Sequence, residues 1–218
     1  MATASSVIET ENESEIERVW NQMKHKPKCI VFDLDYTLWP FNADSYKYLP
    51  PFVAKPSSAV NSTRMLIVDS QKKTLKSYPE VGKILDTLAN RCFVAENRRV
   101  MLAVASKSTS EEICKSLLDV NNWTNYFSDM QIYSNSKIKH MKNICQNLAL
   151  NSFDEILFFD DNGLNIKETT NLGVVAYKVG RTHGLNQIDF IDGLKFYARV
   201  MKNKLKHFFF SNHSLSFF

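Results

Sequence analysis

Residues 28–41 read KCIVFDLDYTLWPF, and this stretch decides the fold. Ile30, Val31 and Phe32 form a short apolar run, the pattern of a strand buried on both faces of a parallel sheet. The run breaks into two carboxylates, Asp33 and Asp35, with Leu34 between them. Open α/β sheets receive their ligands at the carboxyl ends of strands. Two carboxylates this close repel unless a cation or a shared proton relieves them. Taken alone, the stretch is equally a strand followed by an acidic turn, so the rest of the chain has to arbitrate.

Three further strand ends carry polar groups. A strand at 100–105 ends in Ser106-Lys107-Ser108-Thr109. A short one at 131–133 leads to Ser134-Asn135-Ser136-Lys137, and one at 156–159 runs into Asp160-Asp161-Asn162-Gly163. Each is followed by a helical period: Ile113, Leu117 and Leu118, then Ile138, Met141, Ile144 and Leu148, then Ile166 to Leu172. A last strand at 174–179 precedes an amphipathic helix through Ile188, Ile191, Leu194, Ala198 and Met201. Strands alternating with helices predict an α/β fold with a parallel sheet covered on both faces. All carboxyl ends then point one way, and the polar groups converge on one crevice.

Taken singly, these groups are ordinary: Ser106 reads as a helix cap, Lys137 as a solvated side chain, Asp160-Asp161-Asn162-Gly163 as a turn. Taken together they are chemically coherent. Several carboxylates supply the hard oxygen ligands that Mg²⁺ prefers. A serine hydroxyl and lysine ammonium groups suit phosphate oxygens. A carboxylate in line with phosphorus can act as a nucleophile once a cation screens the repulsion between them.

The flanking segments read less sharply. Residues 1–27 are expected to be a peripheral arm whose weak helix (Ile16, Val19, Trp20, Met23) rests on the surface. Residues 28–206 form the main domain, with a small cap insertion at about 40–78. Within it, Pro40, Pro50, Pro51 and Pro56 argue for a rigid loop. Residues 65–69 and 74–78 read as a hairpin overhanging the site, a candidate lid or specificity element. Tyr78-Pro79-Glu80-Val81 opens a helix carried by Val81, Ile84, Leu85 and Leu88. Residues 207–218 are an aromatic tail without a clear period.

The 218 residues, 44% hydrophobic, suffice for one domain with a real core. A net charge of +4 with dispersed lysines calls for no nucleic acid. No apolar run is long enough to span a bilayer, and the amino terminus is unlike a targeting peptide, so no membrane association and a cytoplasmic location are expected. Cys29, Cys92, Cys114 and Cys145 lack metal spacing and read as reduced, packed thiols. A monomer is the expected state.

FDLDYTL resembles the first motif of the haloacid dehalogenase (HAD) superfamily, D-x-D-x-T, and Ser106, Lys137 and Asp160-Asp161 match its later motifs in order. VFDLDYTLWPF, with PPF, LKSYPEV, SNSKI, FFDD and LGV, is more specifically similar to the magnesium-dependent phosphatase 1 family. The likeness spans residues 27–201. It implies a HAD-like Rossmannoid three-layer sandwich with a central parallel sheet and a minimal β-hairpin cap. It also implies Mg²⁺ as cofactor and a phosphomonoester substrate, either phosphotyrosine or a sugar phosphate, including glycated ones.

By position, the resemblance makes Asp33 the nucleophile and Asp35 the acid/base. Asp33, Asp160 and the main-chain carbonyl of Asp35 would hold the metal, with Asp161 in support. Ser106, Lys107, Lys137 and the backbone N–H groups of Leu34 and Asp35 would hold the phosphoryl group. Asp35, meeting more carboxylate than cation, would have a raised pKa. Two departures stand out. Lys107 occupies a place where this family commonly has arginine, and a lysine lacks the planar fork for bidentate phosphate binding. Residues 92–99 look like a surface insertion.

Two other classes compete with an enzyme. A phospho-signalling receiver also combines an acidic cluster, a hydroxyl and a lysine, but its acidic pair comes first and its phosphorylated aspartate stands alone later; here the order is reversed. An inactive binding module on the same fold is disfavoured by the intact set of polar groups.

Overall fold

In the computed structural model, residues 13–56, 65–92, 94 and 98–213 are described, except for the side chains of 65 and 207–213. The chain opens with α1 (Glu15–Gln22) and β1 (Cys29–Phe32). A small antiparallel sheet follows: β2 (Val53–Pro56), β3 (Met65–Val68) and β4 (Thr74–Leu75). Then come α2 (Val81–Arg91), β5 (Met101–Ser106), α3 (Glu111–Val120), β6 (Asp129–Ile132), α4 (Lys137–Asn147), β7 (Ile156–Asp160), α5 (Gly163–Leu172), β8 (Val175–Lys178) and α6 (Gln187–His213).

The main sheet has five strands in the order β6-β5-β1-β7-β8, all parallel. The chain runs outward from β1 through β5 to β6, then returns to the other side of β1 for β7 and β8. Crossovers therefore diverge beside β1, and a crevice opens at its carboxyl end.

Alternate residues of each central strand supply two separate cores. Ile30, Phe32, Leu102, Val104, Leu157 and Phe159 face one layer with Leu85, Leu117 and Leu194. Val31, Ala103, Ala105 and Phe158 face the other, against Met141 and Ile144 of α4, with Ile166 of α5 at its margin. The expected three-layer sandwich is what the chain forms. One contact sets how close α6 sits: a β-carbon on Gly193 would lie 2.4 Å from the Phe159 ring.

The structure revises several local expectations. Residues 53–56, read as irregular because they lie in a proline-rich region, form β2, which pairs antiparallel with β3 and widens the hairpin to three strands. Pro56 closes this edge strand, a position where its missing N–H does no harm. None of the described residues of β2, β3 and β4 lines the crevice, and the connection 57–64 between β2 and β3 lies outside the described residues. Leu75 and Ile67 join the small sheet to the core around Trp39 and Phe41.

Helix α1 is more than a resting arm. Ser14 and Glu17 form a reciprocal capping box. Ile16 and Trp20 are fully buried as α1 packs on α2 and α6. The last helix continues to His213, past the start of the expected tail. Residues 1–12 and 214–218 lie outside the described residues. All four cysteines are free, three of them buried. Among the described residues no helix is long and apolar enough to cross a membrane.

Candidate active site

The register of β1 on β7 pairs Phe32 with Phe159, and the Asp33 amide extends the ladder to the Phe159 carbonyl at 2.9 Å. Asp33 thereby emerges beside Asp160 at the mouth of the sheet. The chain then turns sharply. Thr37 and Leu38 donate back to the Leu34 carbonyl at 3.1 and 2.8 Å, and Tyr36 takes a left-handed φ of 57°. Leu34 drops its side chain into the core, leaving only its backbone near the site.

The same turn carries the Asp35 carboxylate away from Asp33. Its Oδ1 accepts from Trp39 Nε1 at 2.8 Å, and the Ala43 amide reaches both oxygens at 3.2 Å. Burial pushes the Asp35 carboxyl up to about 6, while the Trp39 and Ala43 hydrogen bonds pull the other way and Asp44 adds to the rise. The rise expected from neighbouring carboxylates is present, but loss of water is its main cause.

Lys137 begins α4, which Ser136 caps. Its ammonium is fully buried and bonds Asp33 Oδ1 at 2.6 Å, Asp160 Oδ2 at 3.2 Å and the Ala105 carbonyl. A cation at a helix N-terminus is unfavourable by itself, so these acceptors must hold it there. Burial alone would lower the lysine pKa; Asp33 and Asp160 more than offset this, and the group stays charged. One ammonium cannot satisfy both carboxylates. Burial, opposed by Lys137 and reinforced by Asp160, leaves the Asp33 carboxyl raised.

Asp160, at the end of β7, is wholly buried and is oriented from behind. Asn165 Nδ2 donates to its two oxygens at 2.9 and 3.1 Å, and the Asn162 amide adds 2.7 Å. Asp161 stands beside it, its carboxyl raised by burial and by Asp160, and bound to Arg181 Nε at 3.3 Å. The Arg181 guanidinium lies 3.7 Å over the Tyr36 ring, and Tyr78 Oη donates to its carbonyl at 2.6 Å. Gly184 makes this approach possible: a β-carbon there would overlap the Tyr78 ring, and its φ is +57°.

Across the crevice, Ser106 is buried at the end of β5, and Lys107 follows it, 3.7 Å from Glu168. Asp44, in the loop after β1, holds the segment that leads into α3. It accepts from Ser108 Oγ at 2.6 Å and from the Thr109 and Ser110 amides at 3.0 Å. Burial notwithstanding, these bonds keep its carboxyl below the ordinary value.

The resulting cleft encloses about 450 Å³. Asp33, Asp35, Ser106, Lys107, Lys137 and Asp161 line it, and Asp160 lies just beneath. Every expected site residue thus reaches one place, Leu34 through its backbone. Sequence reading missed Asn165, Asp44, Tyr36 and Arg181. Asn165 falls one helical turn after Asp160-Asp161, which is a readable spacing; the others depend on loops meeting in space.

The donor set fits a hard divalent cation. Oxygens of Asp33, Asp160 and Asp161 lie within 4.8 Å of one another, with Lys137 shared between the first two and Arg181 on the third. The side chain of Asp35, turned toward Trp39, lies outside this group, so any contribution it makes to a cation comes from its backbone.

The family model described as Acid Phosphatase matches residues 25–200. The chain belongs to that family. Human "Magnesium-dependent phosphatase 1" is similar to it, 32% identical over 84% of this chain and 94% of the relative. A HAD-like hydrolase superfamily protein of Schizosaccharomyces pombe is 30% identical over 76% of this chain and 92% of its own. The HAD fold recurs in solved structures. A HAD-superfamily hydrolase of Ehrlichia chaffeensis superposes with a TM-score of 0.51 at 17% identity, over 81% of this chain and 98% of that one. A Bacteroides fragilis protein with a phosphatase domain complexed with Mg gives 0.52 at 18%, over 83% of this chain and 42% of that one.

Proposed function

We propose that this member of the acid phosphatase family is a Mg²⁺-dependent phosphomonoester phosphatase that works through an aspartyl-phosphate on Asp33. The observation that carries the reading is the buried Asp33–Lys137–Asp160 arrangement, with its second carboxylate, Asp35, turned aside and held at a raised pKa.

Bound among Asp33, Asp160 and Asp161, Mg²⁺ supplies positive charge that lets an anionic ester approach a carboxylate. Lys137 keeps the Asp33 carboxylate oriented, and Ser106 donates its hydroxyl to the phosphoryl oxygens. Backbone N–H groups of Leu34 and Asp35 serve the same oxygens. An Asp33 oxygen attacks phosphorus, and the bond to the leaving oxygen breaks. Asp35 gives that oxygen its proton. Its Oδ2 shares only the Ala43 amide at 3.2 Å, so it is the oxygen free to carry the proton. The resulting Asp35 carboxylate then takes a proton from water as the water attacks phosphorus, and Asp33 is released with inorganic phosphate.

The open cleft suits phosphotyrosine as well as phosphorylated sugars, including glycated ones. An acid/base so close to the nucleophile favours turnover over a long-lived phospho-switch. The test is Mg²⁺-dependent phosphate release from p-nitrophenyl phosphate, with the Asp33→Asn protein as control. Release that survives chelation of divalent cations, or persists undiminished in Asp33→Asn, overturns the reading.

A further inference from the structure

The cleft has a basic rim that the chemistry above leaves unused. Lys107 follows β5, Lys178 closes β8, and both line the cleft. Lys107 meets only Glu168, at 3.7 Å and with both side chains about 40% exposed, an ion pair of little strength. Lys178 has no carboxylate or hydrogen-bond partner for its side chain among the described residues. Alternation along β8 puts Lys178 on the face of Ala176, the face covered by α4 and α5. Glu168, which draws Lys107 over, belongs to α5. Both ammonium groups therefore stand on one side of the mouth.

The other charges at the mouth are already committed. Arg181 is held by Asp161 and stacked on Tyr36. Asp44 turns its charge onto Ser108, Thr109 and Ser110. What remains is a pair of exposed cations beside a phosphoryl site, in a cleft sized for a small molecule.

We propose that the substrate is a small phosphomonoester carrying a second anionic group, a carboxylate or another phosphate, which Lys107 and Lys178 receive. The inference rests on the phosphatase reading and narrows it. Two separate point charges can follow an anion whose position varies, as a rigid guanidinium fork cannot.

The test compares kcat/KM within two matched pairs, glycerol 3-phosphate against 3-phosphoglycerate and fructose 6-phosphate against fructose 1,6-bisphosphate. The wild type should prefer the more anionic member of at least one pair, and which pair tells carboxylate from phosphate. Lys178→Ala should cut that preference about tenfold, mainly through KM, as expected for one charge-assisted hydrogen bond. Lys178→Glu should cut it further, and Lys178→Arg should retain it. No preference in either pair, or a preference unaltered in Lys178→Ala and Lys178→Glu, overturns the inference. p-Nitrophenyl phosphate separates the two readings. If it is hydrolysed without any charge preference among the pairs, only the inference falls; if it is not hydrolysed at all, both do.

Discussion

Asp35 is buried with hydrogen bonds from Trp39 and Ala43, yet its carboxyl still releases its proton only near pH 6. Its ordinary value is 3.8, so the folded protein binds this proton more tightly than the unfolded chain does. The stability this contributes is full below about pH 4 and is lost as pH rises through 6. Asp35→Asn should therefore stabilise the metal-free protein at pH 8, by up to about 3 kcal/mol, and have little effect at pH 4. Urea unfolding at the two pH values checks this; equal stability at pH 8 contradicts it. In catalysis the same substitution should depend on the leaving group. An alkyl phosphate, whose leaving oxygen needs a proton, should lose about 10²- to 10⁴-fold in kcat, and p-nitrophenyl phosphate much less. Steady-state rates on both substrates decide it. Lys137→Ala leaves two buried carboxylates facing each other, so both stability and turnover should fall, the former by about 3–5 kcal/mol.

At the scale of elements, α1 and α6 are the parts whose weight is easiest to underestimate. Trp20 is fully buried where α1 meets the core, and Trp20→Ala should cost about 3–5 kcal/mol, read as a lower denaturation midpoint. Gly193 lets α6 lie on the Phe159 ring, so Gly193→Ala should also destabilise, although alanine is the better helix former. The helical period of Ile16, Trp20 and Met23 is visible in the chain. What covers those residues is not, because α2 and α6 arrive from far along it. β2 was illegible for a related reason. Pro56 and the prolines just before it argue against a strand, and only the pairing of Val53 with Val68 and Lys55 with Leu66 outweighs them.

For the whole molecule, the polar strand ends gather because all five strands of the main sheet run parallel. That much could be read directly, since each of Asp33, Ser106, Lys137 and Asp160 follows its own apolar run or short polar turn. Arg181 and Asp44 could not, because each acts through a loop contact with no sequence period. Crowding of Asp33, Asp160 and Asp161, the first two sharing one ammonium, makes the whole fold responsive to a divalent cation. Mg²⁺ at a hundredfold excess over its Kd should stabilise the protein by about 2.7 kcal/mol. Thermal melts should show this gain in the wild type and lose most of it in Asp160→Asn.

Asp44 ties the loop after β1 to the Thr109 and Ser110 amides just ahead of α3, so this wall of the entrance is fixed from both sides. With that wall fixed, the proposed phosphatase should take in ester and release phosphate without waiting on it. Thickening the buffer with sucrose should slow only encounter: kcat/KM declines with viscosity while kcat stays level.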